Sequence, residues 1–156
     1  MTGSAVKQGA HELVKRQAQT DAKKLAAIGY CFGGGVVLNA ARQGVPLAGV
    51  VSFHGALATN TPATPGSVKA KVLVEHGAQD SLVTPQNVAA FKAEMDQAGA
   101  DYQFVSLDGA KHGFSNPDAD RLSHGDHGGP DIGYNKLADE KSWADMQAFF
   151  KKIFSK

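Results

Sequence analysis

Three side chains of the 156-residue sequence suit nucleophilic acyl transfer: the thiol of Cys31, the carboxyl of Asp80 and the imidazole of His112. A thiolate attacks a carbonyl carbon, an imidazole takes and returns the proton, and a carboxylate holds the imidazole in the useful tautomer. Cys31 is the single cysteine, so an intrachain disulfide is ruled out. It lies in Gly29-Tyr30-Cys31-Phe32-Gly33, directly after the apolar run Leu25-Ala26-Ala27-Ile28. That run reads as a short buried strand, and residues 34–42 read as a helix. A strand that turns at once into a helix leaves one side chain at a sharp, strained corner. Glycines on either side remove the clashes of such a turn. The pattern is that of a nucleophile elbow with Cys in place of Ser. At the N-terminus of a helix starting near Phe32, unpaired N–H groups and the helix dipole favour an anion.

A buried structural cysteine also fits residue 31 taken alone. The downstream residues separate the readings. Asp80 follows the strand-like Val72-Leu73-Val74, in a loop over 77–81. His112 lies in Gly109-Ala110-Lys111-His112-Gly113-Phe114, after the strand-like 102–107. Each candidate falls just past the C-terminal end of a predicted strand, where sites form in open parallel sheets. The order nucleophile, acid, histidine is that of α/β-hydrolases. Singly, His112 reads as a loop histidine and Asp80 as a cap or turn aspartate; jointly, type, order and position point to a triad.

The elements that must position these residues follow from periodicity. Strands are predicted over 25–30, 48–53, 71–76 and 102–107, and helices over 5–18, 34–43, 86–98 and 137–154. Strands alternating with helices imply an α/β fold, a parallel sheet of about four strands with flanking helices and right-handed crossovers. Val6, Ala10, Leu13, Val14 and Ala18 mark one face of the first helix. Trp143, Met146, Phe149, Phe150 and Ile153 form an apolar stripe on the last, read as core. Gly99 stops the helix before it. Loops are expected over 58–67, with three threonines and two prolines, and over 116–133.

The length fits one domain over 1–156. Hydrophobic residues make up 42%, which excludes a disordered chain. A net charge of +1 suggests neither nucleic acid nor an anionic membrane surface as partner. Lys151, Lys152 and Lys156 read as a solvated helix end. No stretch approaches the ~20 apolar residues of a membrane span, and residues 1–5 lack a signal-peptide core. A lone reactive thiol fits a reducing cytoplasm.

Other candidates carry less. His124-Gly125-Asp126-His127 with Asp120 and Asp131 could ligate a metal, but the spacing is loose and a solvated loop is expected. Gly33-Gly34-Gly35 lacks the Lys-Ser/Thr of a P-loop, and Cys31 stands where a dinucleotide fingerprint needs glycine. No metal and no cofactor are therefore expected. The N–H of Phe32 is assigned to the oxyanion, and Tyr30, His54 and Phe114 to substrate contact. His54 follows a strand end, and Tyr30 flanks the nucleophile. His76 is expected to pack near the Asp80 turn.

With these residues in view, the chain resembles the dienelactone hydrolase family of α/β-hydrolases. The matching stretches are Gly29-Tyr30-Cys31-Phe32-Gly33-Gly34, His76-Gly77-Ala78-Gln79-Asp80 with Val83-Thr84-Pro85, and His112-Gly113-Phe114. Tyr134-Asn135 through Trp143 to Phe149-Phe150 looks like the family's last helix. The resemblance implies hydrolysis of small esters or lactones by a Cys-His-Asp triad through a thioester. It covers the family's later part only. The family's earlier strands supply a second oxyanion donor and an acidic residue near the resting thiol, so the chain is expected to be a truncated α/β-hydrolase. Enzymes acting on dienelactone itself place an arginine soon after the histidine. Here Ser115-Asn116-Pro117 follow Phe114, and Arg121 does not align; a broader ester specificity is expected. The missing neighbour would leave strand 25–30 as a sheet edge, which invites pairing with another chain. A homodimer or larger assembly covering it is the expected partner. The alternatives are a truncated module that oligomerises and only binds, and a redox-sensing thiol.

Overall fold

The computed structural model describes residues 3–123 and 131–155, with side chains from residue 9 onward. Strands β1 (Ala26–Tyr30), β2 (Gly49–Phe53), β3 (Lys71–Gly77) and β4 (Tyr102–Leu107) lie side by side in chain order, all parallel. Helix α1 (Gly3–Lys15) precedes them, α2 (Phe32–Arg42) links β1 to β2, and α3 (Pro85–Ala98) links β3 to β4. A short α4 (Ala119–Leu122) and the long α5 (Lys136–Phe154) follow. Tyr30 aligns with Phe53, Phe53 with Glu75, and Gly77 with Leu107. The C-terminal strand ends therefore form one edge, above which a site can be built.

Side-chain alternation along β2 and β3 sorts the core into two halves. Val50, Val72 and Val74 pack with Leu38 and Ala41 of α2 and with Phe91 and Met95 of α3. Val51, Phe53 and Leu73 face the other way, onto Ala138, Met146 and Phe149 of α5. The result is a sheet covered on both faces, which explains why β2 and β3 are buried almost throughout. Gly49, at the start of β2, lets α5 approach closely: a Cβ there would meet Phe149 Cε1 at 3.0 Å, and Ile153 presses on it too. Helix α5 thus runs from the C-terminal edge of the sheet, where its residues reach the candidate site, back to the N-terminal edge.

Local signals set the helix ends. Thr84 and Asn87 form a capping box at the start of α3, Pro85 follows the cap, and Gly99 closes the helix at φ 64°. Arg42 ties α2 to α3: its Nε and a terminal nitrogen donate to both carboxyl oxygens of Glu94, at 2.8 and 2.9 Å. The same side chain donates to the Leu57 carbonyl at 2.7 Å.

Three expectations change. Helix α1 ends at Lys15, so Ala18 lies outside it, and Leu13 and Val14 are exposed. The loop over 116–133 contains α4, stabilised by Arg121 on Asp118 at 2.9 Å. Trp143 is not core: it stands in the part of α5 that overhangs the strand ends, and is 48% exposed. Strand β1 is a sheet edge, with Ile28 exposed. Residues 124–127 of the suggested metal cluster lie outside the described residues. Asp131 instead pairs with Lys111 at 2.7 Å and Asp120 accepts the Tyr134 N–H at 3.2 Å. Among the described residues, no helix is long and apolar enough to cross a membrane.

Candidate active site

Cys31 is the first residue beyond β1 and holds φ 52°, ψ −120°. That conformation is costly for a residue with a Cβ and marks a strained elbow. Two glycines make room for it. A Cβ on Gly29 would run into the Gly33 carbonyl, and one on Gly34 would meet Ser52 Oγ at 2.6 Å and Gly55 Cα at 2.8 Å. Gly33, expected to serve this purpose, has open space around it. The crowding arises where α2 crosses the end of β2, one residue later than the symmetry of the motif suggests.

The three predicted catalytic side chains converge. Cys31 Sγ lies 3.2 Å from His112 Nε2, and His112 Nδ1 lies 2.9 Å from Asp80 Oδ2. Asp80 also accepts the Leu82 N–H at 2.9 Å on its other oxygen, so the carboxylate is fixed at both ends. The acid and histidine loops are tied to β4 and to each other: Ala78 N–H donates to Leu107 and Gln79 N–H to Ala110, at 2.9 and 2.8 Å. Gly133 N–H donates to the His112 carbonyl at 3.1 Å, anchoring the histidine loop from the other side. Burial alone disfavours the imidazolium of His112. Hydrogen bonds to Asp80 and Cys31, and their charges, outweigh it and raise the pKa above 6.5.

His54 takes a part that its type and place only half announced. It too is the first residue past its strand, at φ 38°. Its Nδ1 accepts the Cys31 N–H at 3.2 Å, and its Nε2 lies 2.9 Å from Ser115 Oγ. An Nδ1 that accepts requires the proton on Nε2, so the ring donates to Ser115. Burial, and then the neighbouring His112, push its pKa down to about 4, so the ring is neutral. The Cys31 N–H is also bound to the Phe53 carbonyl at 3.0 Å. It is therefore committed to the scaffold, and the free donors beside the thiol belong to the first turn of α2, beginning with Phe32 N–H.

The thiol opens into a cleft of about 620 Å3 lined by Tyr30, His54, His112, Ser115, Asn116 and Trp143, among others. Tyr30 is at the wall of this cleft, its ring stacked on Phe53 with centroids 4.5 Å apart. Phe114 is not: it is fully buried, packed edge-on against His54 at 5.0 Å within the core under α5. The glycine before it turns the chain inward, so Phe114 supports the histidine instead of touching substrate. His76 is buried against Phe104, as expected. Sequence reasoning missed Ser115, Asp139 and Trp143 as cleft residues. The first two turns of α5 carried a signal, since a polar Asp139 and an aromatic Trp143 share one face at four-residue spacing.

The arrangement has relatives. The model of the dienelactone hydrolase family matches residues 3–154. A dienelactone hydrolase-like promiscuous phosphotriesterase from metagenomic libraries superposes with a TM-score of 0.83 at 34% identity, over 97% of this chain and 61% of that one. The solved protein m3DLH gives a TM-score of 0.86 at 35% identity, over the same shares. An uncharacterized Caenorhabditis elegans protein is 32% identical over 138 residues, 86% of this chain and 84% of that protein. The chain thus spans 61% of the length of the two solved relatives. The family match covers nearly the whole chain, and the chain belongs to the dienelactone hydrolase family.

Proposed function

We propose that the protein hydrolyses small carboxylic esters or lactones through a thioester on Cys31. The observation that carries this reading is the continuous relay from thiol to imidazole to carboxylate, with links of 3.2 and 2.9 Å. His112 Nε2 takes the thiol proton as sulfur adds to the carbonyl carbon. The C–S bond forms, and the oxyanion is held by the Phe32 N–H. Collapse expels the alcohol, which leaves with the proton from His112. Water, deprotonated by His112, then attacks the thioester; the C–S bond breaks, the acid is released and the thiol regains its proton. Asp80 holds the imidazole and steadies its charged form. No cofactor enters the scheme. Thiolates leave readily, so activated esters are the expected substrates, and a reducing cytoplasm the fitting compartment.

Intact-mass measurement after p-nitrophenyl acetate should show one acetyl adduct, lost in Cys31→Ala together with turnover. Unchanged turnover in the variant rejects Cys31 as nucleophile. An unacylated, inactive chain with ligand still bound selects the alternative, a module that only binds. The named activity of the metagenomic relative favours a second substrate class, since the same sulfur could attack phosphorus in a phosphotriester; paraoxon turnover tests it.

We also propose that the chain assembles through β1. The open edge, the exposed Ile28 beside it, and the uncovered Leu13 and Val14 of α1 support a homodimer or larger assembly. Light scattering on an eluting column should return a multiple of 16.3 kDa; a monomer at micromolar concentration rejects it.

A further inference from the structure

The charge inventory of the cleft is lopsided. Among its described lining residues Asp139 is the only carboxylate, and no Lys or Arg is present. The nearby cations are engaged elsewhere: Lys111 with Asp131 at 2.7 Å, Arg121 with Asp118 at 2.9 Å, Lys136 with Glu140 at 3.7 Å, and Lys141 with Asp145. Asp139 accepts the Tyr134 hydroxyl at 3.2 Å and pairs with no cation among the described residues. Its charge reaches the nucleophile's neighbour, for it adds to burial in raising the pKa of Tyr30. Tyr30, 39% exposed, and Trp143, 48% exposed, line the same cleft.

A carboxylate that shares a cleft with two accessible aromatic rings is chemistry for an alkylammonium. The ring faces attract the cation, and the acid neutralises it. The same wall repels a carboxylate-bearing ester, which finds no Lys or Arg among the described lining residues to meet it. We propose that the cleft selects esters bearing an ammonium or quaternary ammonium group, held by Asp139 between Tyr30 and Trp143. The statement rests on the esterase reading for the reaction, but the cation site stands on its own geometry.

Trp143 is the only tryptophan of the chain, so its fluorescence reports the site directly. Choline chloride should change that fluorescence saturably, whereas its uncharged tert-butyl isostere should not. Asp139→Asn should weaken choline about tenfold, the scale of one ion pair with aromatic support, and Asp139→Glu should restore it. In turnover, acetylthiocholine should exceed its uncharged isostere in kcat/KM by about tenfold, with the ratio falling to near one in Asp139→Asn. Equal responses to choline and isostere, or choline binding unmoved by Asp139→Asn, overturn the cation site. Choline binding that follows this pattern while every ester, p-nitrophenyl acetate included, goes unhydrolysed rejects the esterase reading and leaves the cation site standing.

Discussion

Replacing Glu75 by glutamine should make the protein more resistant to alkaline pH. Glu75 lies on β3 between Phe53 and Val105, on the face that α5 covers, and is fully buried. Among the described residues neither carboxyl oxygen has a hydrogen-bond partner. Burial, with the charge of Asp145 adding and Lys141 opposing, pushes its pKa from 4.5 up to about 8. A carboxyl with a raised folded pKa is no burden below its unfolded value, where both states hold the proton. As pH rises from 4.5 the unfolded chain releases the proton and the folded chain does not, so stability falls until about pH 8. The slope is about 1.4 kcal/mol per pH unit, which amounts to about 4 kcal/mol between pH 5 and pH 8.5. At a urea dependence of about 2 kcal/mol per molar, the wild-type midpoint should drop by about 2 M relative to Glu75→Gln over that range. His112 and His54 titrate in both proteins and cancel in the difference. Urea titrations at half-unit pH intervals give the result, and midpoints of the two proteins running parallel from pH 5 to pH 8.5 refute the reasoning.

Other expectations concern the site and its supports. Because its bonds to Asp80 raise the pKa of His112, the acid limb of kcat/KM for p-nitrophenyl acetate should lie above pH 6.5. In Asp80→Asn it should move to lower pH while the rate falls by about 10³–10⁴-fold, and an unmoved limb rejects the coupling. Gly34→Ala should cost about 1–3 kcal/mol by overpacking against Ser52 and Gly55, whereas Gly33→Ala should be nearly neutral; calorimetry that ranks them the other way contradicts the elbow packing. Arg42→Ala should cost about 3–5 kcal/mol in chemical denaturation, because it leaves the Glu94 carboxylate uncompensated between α2 and α3.

The meeting of Cys31, Asp80 and His112 was legible because parallel topology does the arranging. A residue of the right type just past each strand end must arrive at a common edge, whatever the loops do, and Cys31, Asp80 and His112 obey this. Strand spans were legible for a similar reason: apolar runs such as Val72-Leu73-Val74 bounded by turn residues leave few alternatives. What periodicity could not supply was the reach of α5. An apolar stripe containing Trp143 and Phe149 looks uniform in sequence, yet one end overhangs the sheet and the other lies beneath it. Phe114 shows the converse: adjacency to His112 says nothing about which way a ring turns after a glycine. The clash that demands glycine at 34 instead of 33 comes from Ser52 of β2 and Gly55 just past its end, and no local pattern encodes it. Glu75 was hidden in the same way, since a carboxyl within an apolar strand gains its meaning from the helix laid over it.

Cys31 and His54 occupy equivalent positions on neighbouring strands, each one residue past a register pair formed by Tyr30 and Phe53. Both hold positive φ, and the sheet's hydrogen bonding continues through them: Cys31 N–H donates to Phe53 at 3.0 Å and His54 N–H to Glu75 at 2.8 Å. Cys31, the proposed nucleophile, is therefore fixed by one more rung of the ladder, and the side chain of His54 adds a second hold on the same amide. Strained conformations persist only when their surroundings over-determine them. Here the surroundings are backbone hydrogen bonds, which do not depend on what the cleft contains. The thiol is consequently held in place for His112 before any ligand arrives, and the variable part of the site is the wall opposite, built from α5 and the loop at Ser115. The proposed reaction and the ligand preference thereby fall to different elements of the fold, so substitutions at Asp139 or Trp143 should alter which ligand is taken without moving sulfur, imidazole or carboxylate.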